Sequence, residues 1–298
     1  MLRRFPLLLP AVLALSACTA QSPAPSQQAP ATPAAPTTTQ DVTHMPDASA
    51  APASNPVADV KPPAADSVLY FISNVDGDGA LSYEIGNGSW INYWFGFPFE
   101  LDGTRYYTGF AWETPEDFSD RKEPKYPAPG DTVTITQATF TANPPGSEKP
   151  WKFHDNQHSV GEFGGNGKGN TLDETRKPQS ARTSEGNLLL AVPTWYLVSG
   201  TRMQNFELLL FNPHDLENTD NKRWTYVGSL YAGEDNSAAC DTDAGGIKCV
   251  TRTGTLAFSS QSGDPMPTLR ITTEGGPAAE IAEYRYDASR NTYQPTSR

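Results

Sequence analysis

From residue 67 onward, apolar and polar residues alternate with a period of two over short stretches. No stretch sustains the three-to-four-residue spacing of an amphipathic helix. Val133, Ile135 and Gln137 interleave with Thr132, Thr134 and Thr136, which reads as a strand with one buried and one wet face. Runs rich in β-branched and aromatic residues predict strands over 68–72, 81–85, 90–99, 105–112, 132–140, 188–192, 195–198, 206–211, 224–231, 247–252, 255–258, 269–272 and 281–287. Turn residues separate these runs, and no unit repeats at a fixed period. The pattern predicts an all-β domain over 67–298, an antiparallel β-sandwich-like fold. Residues 141–187 break it, being polar and glycine-dotted with few strand formers. They are expected to form one long loop or to join two β subdomains.

Ten of the 31 aromatic residues lie within 90–112, which makes that segment the first place to look for a binding surface. Asp102-Gly103 divides it, and this dipeptide supplies the two positive-φ positions of a two-residue hairpin. The turn would pair Leu101 with Thr104, Phe99 with Tyr106, Phe95 with Phe110 and Tyr93 with Trp112, the last three pairs forming a core face. The opposite face would carry Trp90, Asn92, Trp94 and Tyr107 beside Gly96 and Gly109. Flat rings next to an amide and bare backbone suit sugar rings, whose apolar faces stack while their hydroxyls find polar partners. Trp90, Asn92, Trp94 and Tyr107 are therefore the candidate ligand contacts, unless a further layer covers that face.

Asn74-Val75-Asp76-Gly77-Asp78-Gly79-Ala80-Leu81-Ser82 resembles the first nine positions of an EF-hand calcium loop. Oxygens at alternate positions converge on a hard cation, and a glycine permits the sharp turn. Asn74, Asp76, Asp78, Ser82 and Glu84 are the candidate calcium ligands, and calcium is the one cofactor the sequence suggests. The match departs at its end: Ile85 stands where the closing carboxylate belongs, Glu84 comes one residue early, and 68–72 reads as a strand. Repeated Asp-Gly also makes an ordinary turn. Asp235, Asp241 and Asp243 form a second acidic loop. His154, His158 and His214 lack the spacing of a zinc site. Gly167-Lys168 lacks the earlier glycine spacing and the Ser or Thr of a phosphate-binding loop, so no nucleotide is expected. No nucleophile motif such as Gly-x-Ser-x-Gly is present, and no catalytic residue can be named.

The N-terminus reads differently. Arg3 and Arg4 precede an apolar stretch, 5–15, too short to span a bilayer, and Leu15-Ser16-Ala17-Cys18 closes it. This resembles the signal peptide and lipobox of bacterial lipoproteins. The resemblance implies removal of residues 1–17, lipidation of Cys18 and a durable anchor in the membrane. Thr19, where aspartate would imply retention at the inner membrane, implies the outer membrane of a Gram-negative bacterium, facing the periplasm or the surface. Residues 18–66 continue as a tether. The ten prolines of 19–65 and its want of any aromatic residue leave too little apolar surface to fold. As a coil those residues would span roughly 40 Å.

Removing Arg3 and Arg4 takes the balance from 22 basic against 34 acidic residues to 20 against 34, a net charge of −14. A chain so acidic, with no basic cluster, is a poor partner for nucleic acid. With Cys18 lipidated, Cys240 and Cys249 remain as a pair in an oxidising compartment, expected to close a hairpin loop as a disulfide. The expected protein is an envelope lipoprotein acting as a non-enzymatic binding or assembly module, with cell-wall glycan or an envelope protein as ligand. Two alternatives stand beside it: a secreted glycan-active hydrolase supported by calcium, and a structural subunit of a secretion or envelope complex.

Overall fold

A computed structural model describes residues 60–118, 126–214, 222–240, 246–260, 263–276 and 278–296. Cys18, the signal segment, and Asp241 and Asp243 lie outside the described residues. The chain opens with α1 (Ala65–Ser73), where the apolar run 68–72 predicted a strand. A five-residue apolar run fits either period, and its neighbourhood decides between them. Val68, Leu69 and Ile72 fall on one helical stripe and are buried, while Asn74 adopts the left-handed conformation at φ 56° and donates its N–H to the Tyr70 carbonyl.

Five strands then run as a meander, β1 (Ser82–Gly86), β2 (Ser89–Leu101), β3 (Thr104–Glu113), β4 (Val133–Ala142) and β5 (Trp151–Phe163), each hydrogen-bonded to the next. β5 occupies much of the segment expected to be a loop. It is an edge strand, so most of its side chains face water and its composition is polar; of its inward residues, Asp155 accepts from Gln137 and Gln157 donates to the Trp224 carbonyl at 2.8 Å.

The remaining strands form a second antiparallel sheet: β6 (Thr171–Leu172), β7 (Gln179–Arg182), β8 (Leu188–Val198), β9 (Thr201–Phe211), β10 (Trp224–Asp235), β11 (Thr251–Ser259), β12 (Thr268–Glu274), β13 (Glu280–Asp287) and β14 (Thr292–Pro295). Its order is β14-β13-β12-β11-β10-β9-β8-β6, with β7 also beside β8. β8 runs unbroken through Pro193, where the sequence suggested two strands. The Pro193 carbonyl accepts the Asp173 N–H in the gap between β6 and β7, so the side lacking a donor has no full ladder to lose. Cys240 and Cys249 are joined as a disulfide.

Both faces of both sheets are covered over most of their length. Phe95, Phe97, Phe99 and Phe110 of the first sheet meet Leu188, Leu190, Phe211 and Trp224 of the second in the central core. α1 covers the outer face of the first sheet, against Ile91, Tyr107, Ala138 and Phe140. The second sheet curls on itself, so that Leu256, Leu269, Ile271 and Tyr293 of β11–β14 pack against Leu189, Leu208 and Val227. The result is an all-β sandwich with an added layer on each side, and it explains why the face of β4 that reads as wet is buried at Thr136 and Ala138.

One polar relay crosses the central core. The Trp224 indole N–H donates to Thr108 Oγ1 (3.1 Å), and Thr139 donates to Gln137 Oε1 (2.7 Å). With those protons placed, the Thr108 hydroxyl must donate to Thr139, 2.8 Å away. Gln137 Nε2 continues to Asp155 (3.1 Å), which takes the buried Arg223 guanidinium at 2.7 Å. Thr108 is wholly buried. Thr108→Val keeps the volume but leaves the Trp224 N–H unpaired, and is expected to destabilise the fold by about 1–3 kcal/mol in urea unfolding.

Candidate functional site

The hairpin register holds from Leu101↔Thr104 to Phe95↔Phe110 as the Asp102-Gly103 turn predicts, and then a bulge intervenes. Tyr93 pairs with Ala111 and Asn92 with Trp112, leaving Trp94 as the extra residue. The bulge divides the four candidate ligand contacts. Tyr107 lies on the outer face under α1, its hydroxyl 3.1 Å from that of Tyr93. Trp94 packs against the central core, edge-on to Phe95 and tilted on Phe163. Asn92 accepts the Ser82 hydroxyl at 2.7 Å, and Trp90 is exposed. The four do not share a surface. The bare backbone expected to serve a ligand serves α1 instead, since Val68 Cγ1 would lie 2.4 Å from a Cβ built on Gly109.

The candidate calcium ligands are likewise engaged one by one. Asn74 caps α1 through its backbone N–H, Asp76 accepts the Asp78 N–H, Ser82 donates to Asn92, and Glu84 accepts the Gly88 N–H. Among the described residues no three His, Cys, Asp or Glu side chains gather where a metal could sit. His154 and His158 lie along β5, with His158 Nδ1 3.9 Å from Glu113.

A different site lies against the inner face of β8, β9 and β10. A cleft of about 900 Å³ lies there between the β8–β9–β10 strands and the connection 164–170. Asn166-Gly167 reverses that connection, with φ 53° and 66°, in the same two-residue geometry as the aromatic hairpin. From behind, the Trp94 indole N–H holds the Asn170 carbonyl at 3.0 Å. On the opposite face of β9 from Glu207, the buried Asp173 carboxylate takes Arg176 at 2.7 Å and Arg202 at 3.3 Å. Arg202 in turn lies over the Trp195 ring, 4.6 Å from its centre.

Glu207 of β9 lies beneath the cleft with 0% exposure. Its Oε1 accepts Asn170 Nδ2 (2.8 Å), Thr194 Oγ1 (3.0 Å) and Ser229 Oγ (3.2 Å), and its Oε2 accepts the Tyr226 hydroxyl (2.7 Å). Asn170, Tyr226 and Ser229 all line the cleft. Burial pushes the Glu207 carboxyl above the ordinary carboxylate range, and the hydrogen bonds from Tyr226, Asn170, Thr194 and Ser229 draw it back only in part. Tyr226 is raised as well, by its own burial and then by the Glu207 charge, so the phenol keeps its proton.

Strand alternation extends this surface outward. Thr194 and Tyr196 of β8, Asn205 and Glu207 of β9, and Ser229 and Tyr231 of β10 share one face, with Tyr231 opposite Asn205 and Thr194 opposite Asn205 on the other side. Tyr196 and Tyr231 are exposed at 38% and 40%. The run Phe206-Glu207-Leu208-Leu209-Leu210-Phe211 carries the signal that could have flagged this site: one acid inside an apolar strand must find donors or stay out of the core.

No protein-family model, curated protein or solved structure matches the chain.

Native Glu207 keeps its proton to higher pH than it does unfolded. Its contribution to stability is therefore fullest below the ordinary carboxylate range and is lost as pH rises through the native value. Glu207→Gln is expected to flatten that part of the thermal-midpoint curve, followed by circular dichroism between about pH 4 and pH 8.

Proposed function

We propose that this chain is an outer-membrane lipoprotein, anchored through Cys18, that acts as a non-enzymatic binding module for cell-wall glycan, with the cleft and its open sheet face as the seat. The observation that supports the reading is the pair of exposed tyrosines, Tyr196 and Tyr231, standing across β9 beside Asn205 and leading to the buried Glu207 cluster. Rings offer stacking area to the apolar faces of sugars, and the amide and hydroxyls between them offer hydrogen bonds. Glu207 is closed off by its own donors, an arrangement suited to holding a ligand and not to passing it a proton.

One feature favours an envelope protein as the second reading. The β8–β9 hairpin tip exposes Leu197 and Val198, at 61% and 48%, at the margin of the same cleft.

Co-sedimentation of the detergent-solubilised full chain with purified sacculi tests the first reading. Saturable pelleting is expected, lost in the double variant Tyr196→Ala, Tyr231→Ala at an unchanged thermal midpoint and unaffected by chelator. No pelleting would sink the glycan reading, and cross-linking from the hairpin tip in intact cells would then identify a protein partner. Cys18→Ser is expected to abolish palmitate labelling and to move the protein out of the outer-membrane fraction.

A further inference from the structure

We propose that Glu207 sets the hydrogen-bond polarity of the cleft floor, so that the site takes a ligand offering hydroxyl or amide donors there and discriminates against the same ring with a donor removed. The inference rests on the cleft being the ligand seat, and it concerns which atoms of a glycan the seat reads.

The argument is a count of protons. With Glu207 ionised, Oε1 accepts three donors and Oε2 a fourth, so each of those donors commits a proton to the carboxylate. The count applies above the native pKa of Glu207, and binding is measured there. Ser229 has one hydroxyl hydrogen, and the acceptors within its reach, Oε1 and the Tyr226 oxygen, both belong to the cluster; what Ser229 has left for the cleft is lone pairs. Asn170 must aim its nitrogen at the carboxylate, since its oxygen there would meet another oxygen, and this turns Oδ1 away from Glu207. Tyr226 commits its single hydrogen to Oε2 and likewise keeps only lone pairs. The floor therefore presents acceptors from three residues on two elements, the 164–170 connection and β10, all oriented by one side chain. The cation among the cleft-lining residues, Lys168, is exposed.

A ligand group that can only accept, such as a phosphate or carboxylate oxygen, would set lone pair against lone pair above a buried carboxylate. A hydroxyl or an amide N–H meets the floor with its hydrogen. Pyranose rings carry such donors along their equatorial edges while leaving an apolar face for Tyr196 or Tyr231. Glu207 itself touches no ligand: it is a positioning residue.

Glutamine at 207 makes the test sharp. Its oxygen can still take Asn170, Thr194 and Ser229, but its amide N–H would then point at Tyr226, whose hydroxyl must turn its hydrogen toward the cleft. The experiment is calorimetric titration of the detergent-solubilised full chain with the tetramer of N-acetylglucosamine. Its deoxyfluoro analogues follow, in which fluorine replaces one hydroxyl at a time without adding bulk. At least one analogue is expected to bind the unaltered protein on the order of 10- to 100-fold more weakly. That ratio, which a purely structural role would leave alone, is expected to shrink toward unity in Glu207→Gln. Ser229 is exposed, so Ser229→Ala keeps the test available if the Glu207 variant fails to fold, and the ratio should shrink there too. Analogues that bind as well as the parent, or a ratio unchanged in both variants, would overturn the inference and leave the glycan reading intact. Pelleting with sacculi without binding of the tetramer would overturn it as well. Neither pelleting nor tetramer binding would remove the glycan reading and this inference together.

Discussion

The two sheets are fixed to one another by a hydrogen bond in a place where hydrophobic packing alone would let them slide. Aromatic side chains fill the central core, and rings such as Phe99, Phe110 and Phe211 can pack acceptably in more than one relative setting of the sheets. The Trp224 indole cannot. Its buried N–H has one acceptor, Thr108, and through Thr139, Gln137 and Asp155 of the first sheet that choice returns to Arg223, the residue before Trp224. A slip of either sheet would strand several polar groups in the core at once, which is far more costly than an imperfect ring contact.

The sequence is legible where local chemistry and period agree. Asp102-Gly103 determines seven consecutive cross-strand pairs, because the turn has one workable geometry and the strands beside it have one apolar face. It becomes illegible at Trp94, because a bulge adds a residue without any change of composition, and everything beyond it changes partner. α1 is short enough to satisfy two periods, and its choice of helix depends on a sheet face with room over Gly109 that only the tertiary fold supplies. β5 escapes notice because an edge strand needs few apolar residues. The Asn166-Gly167 reversal was readable in the same terms as the aromatic hairpin, yet it sits in a segment whose polarity argues for a loop.

The candidate site shows the same division. Aromatic abundance points to the hairpin, and the fold spends nearly all of those rings on its two cores. The cleft instead gathers single residues from distant segments, Asn170, Thr194, Glu207, Tyr226 and Ser229, which no spacing connects. Trp94 is the point at which the two meet. It leaves the expected platform, joins the core, and holds in place the connection that carries Asn170.

The entry of the chain into the fold has a mechanical meaning. Lys61 is bound at the first residue of β5, where the Trp151 indole N–H takes its carbonyl at 2.8 Å, and the last residue of β5, Phe163, borders the cleft. At about 3.3 Å per residue the two ends of that strand are roughly 40 Å apart. The segment that enters the fold is thus held about one strand length from the cleft, and the two ends are coupled through the β4–β5 ladder between them.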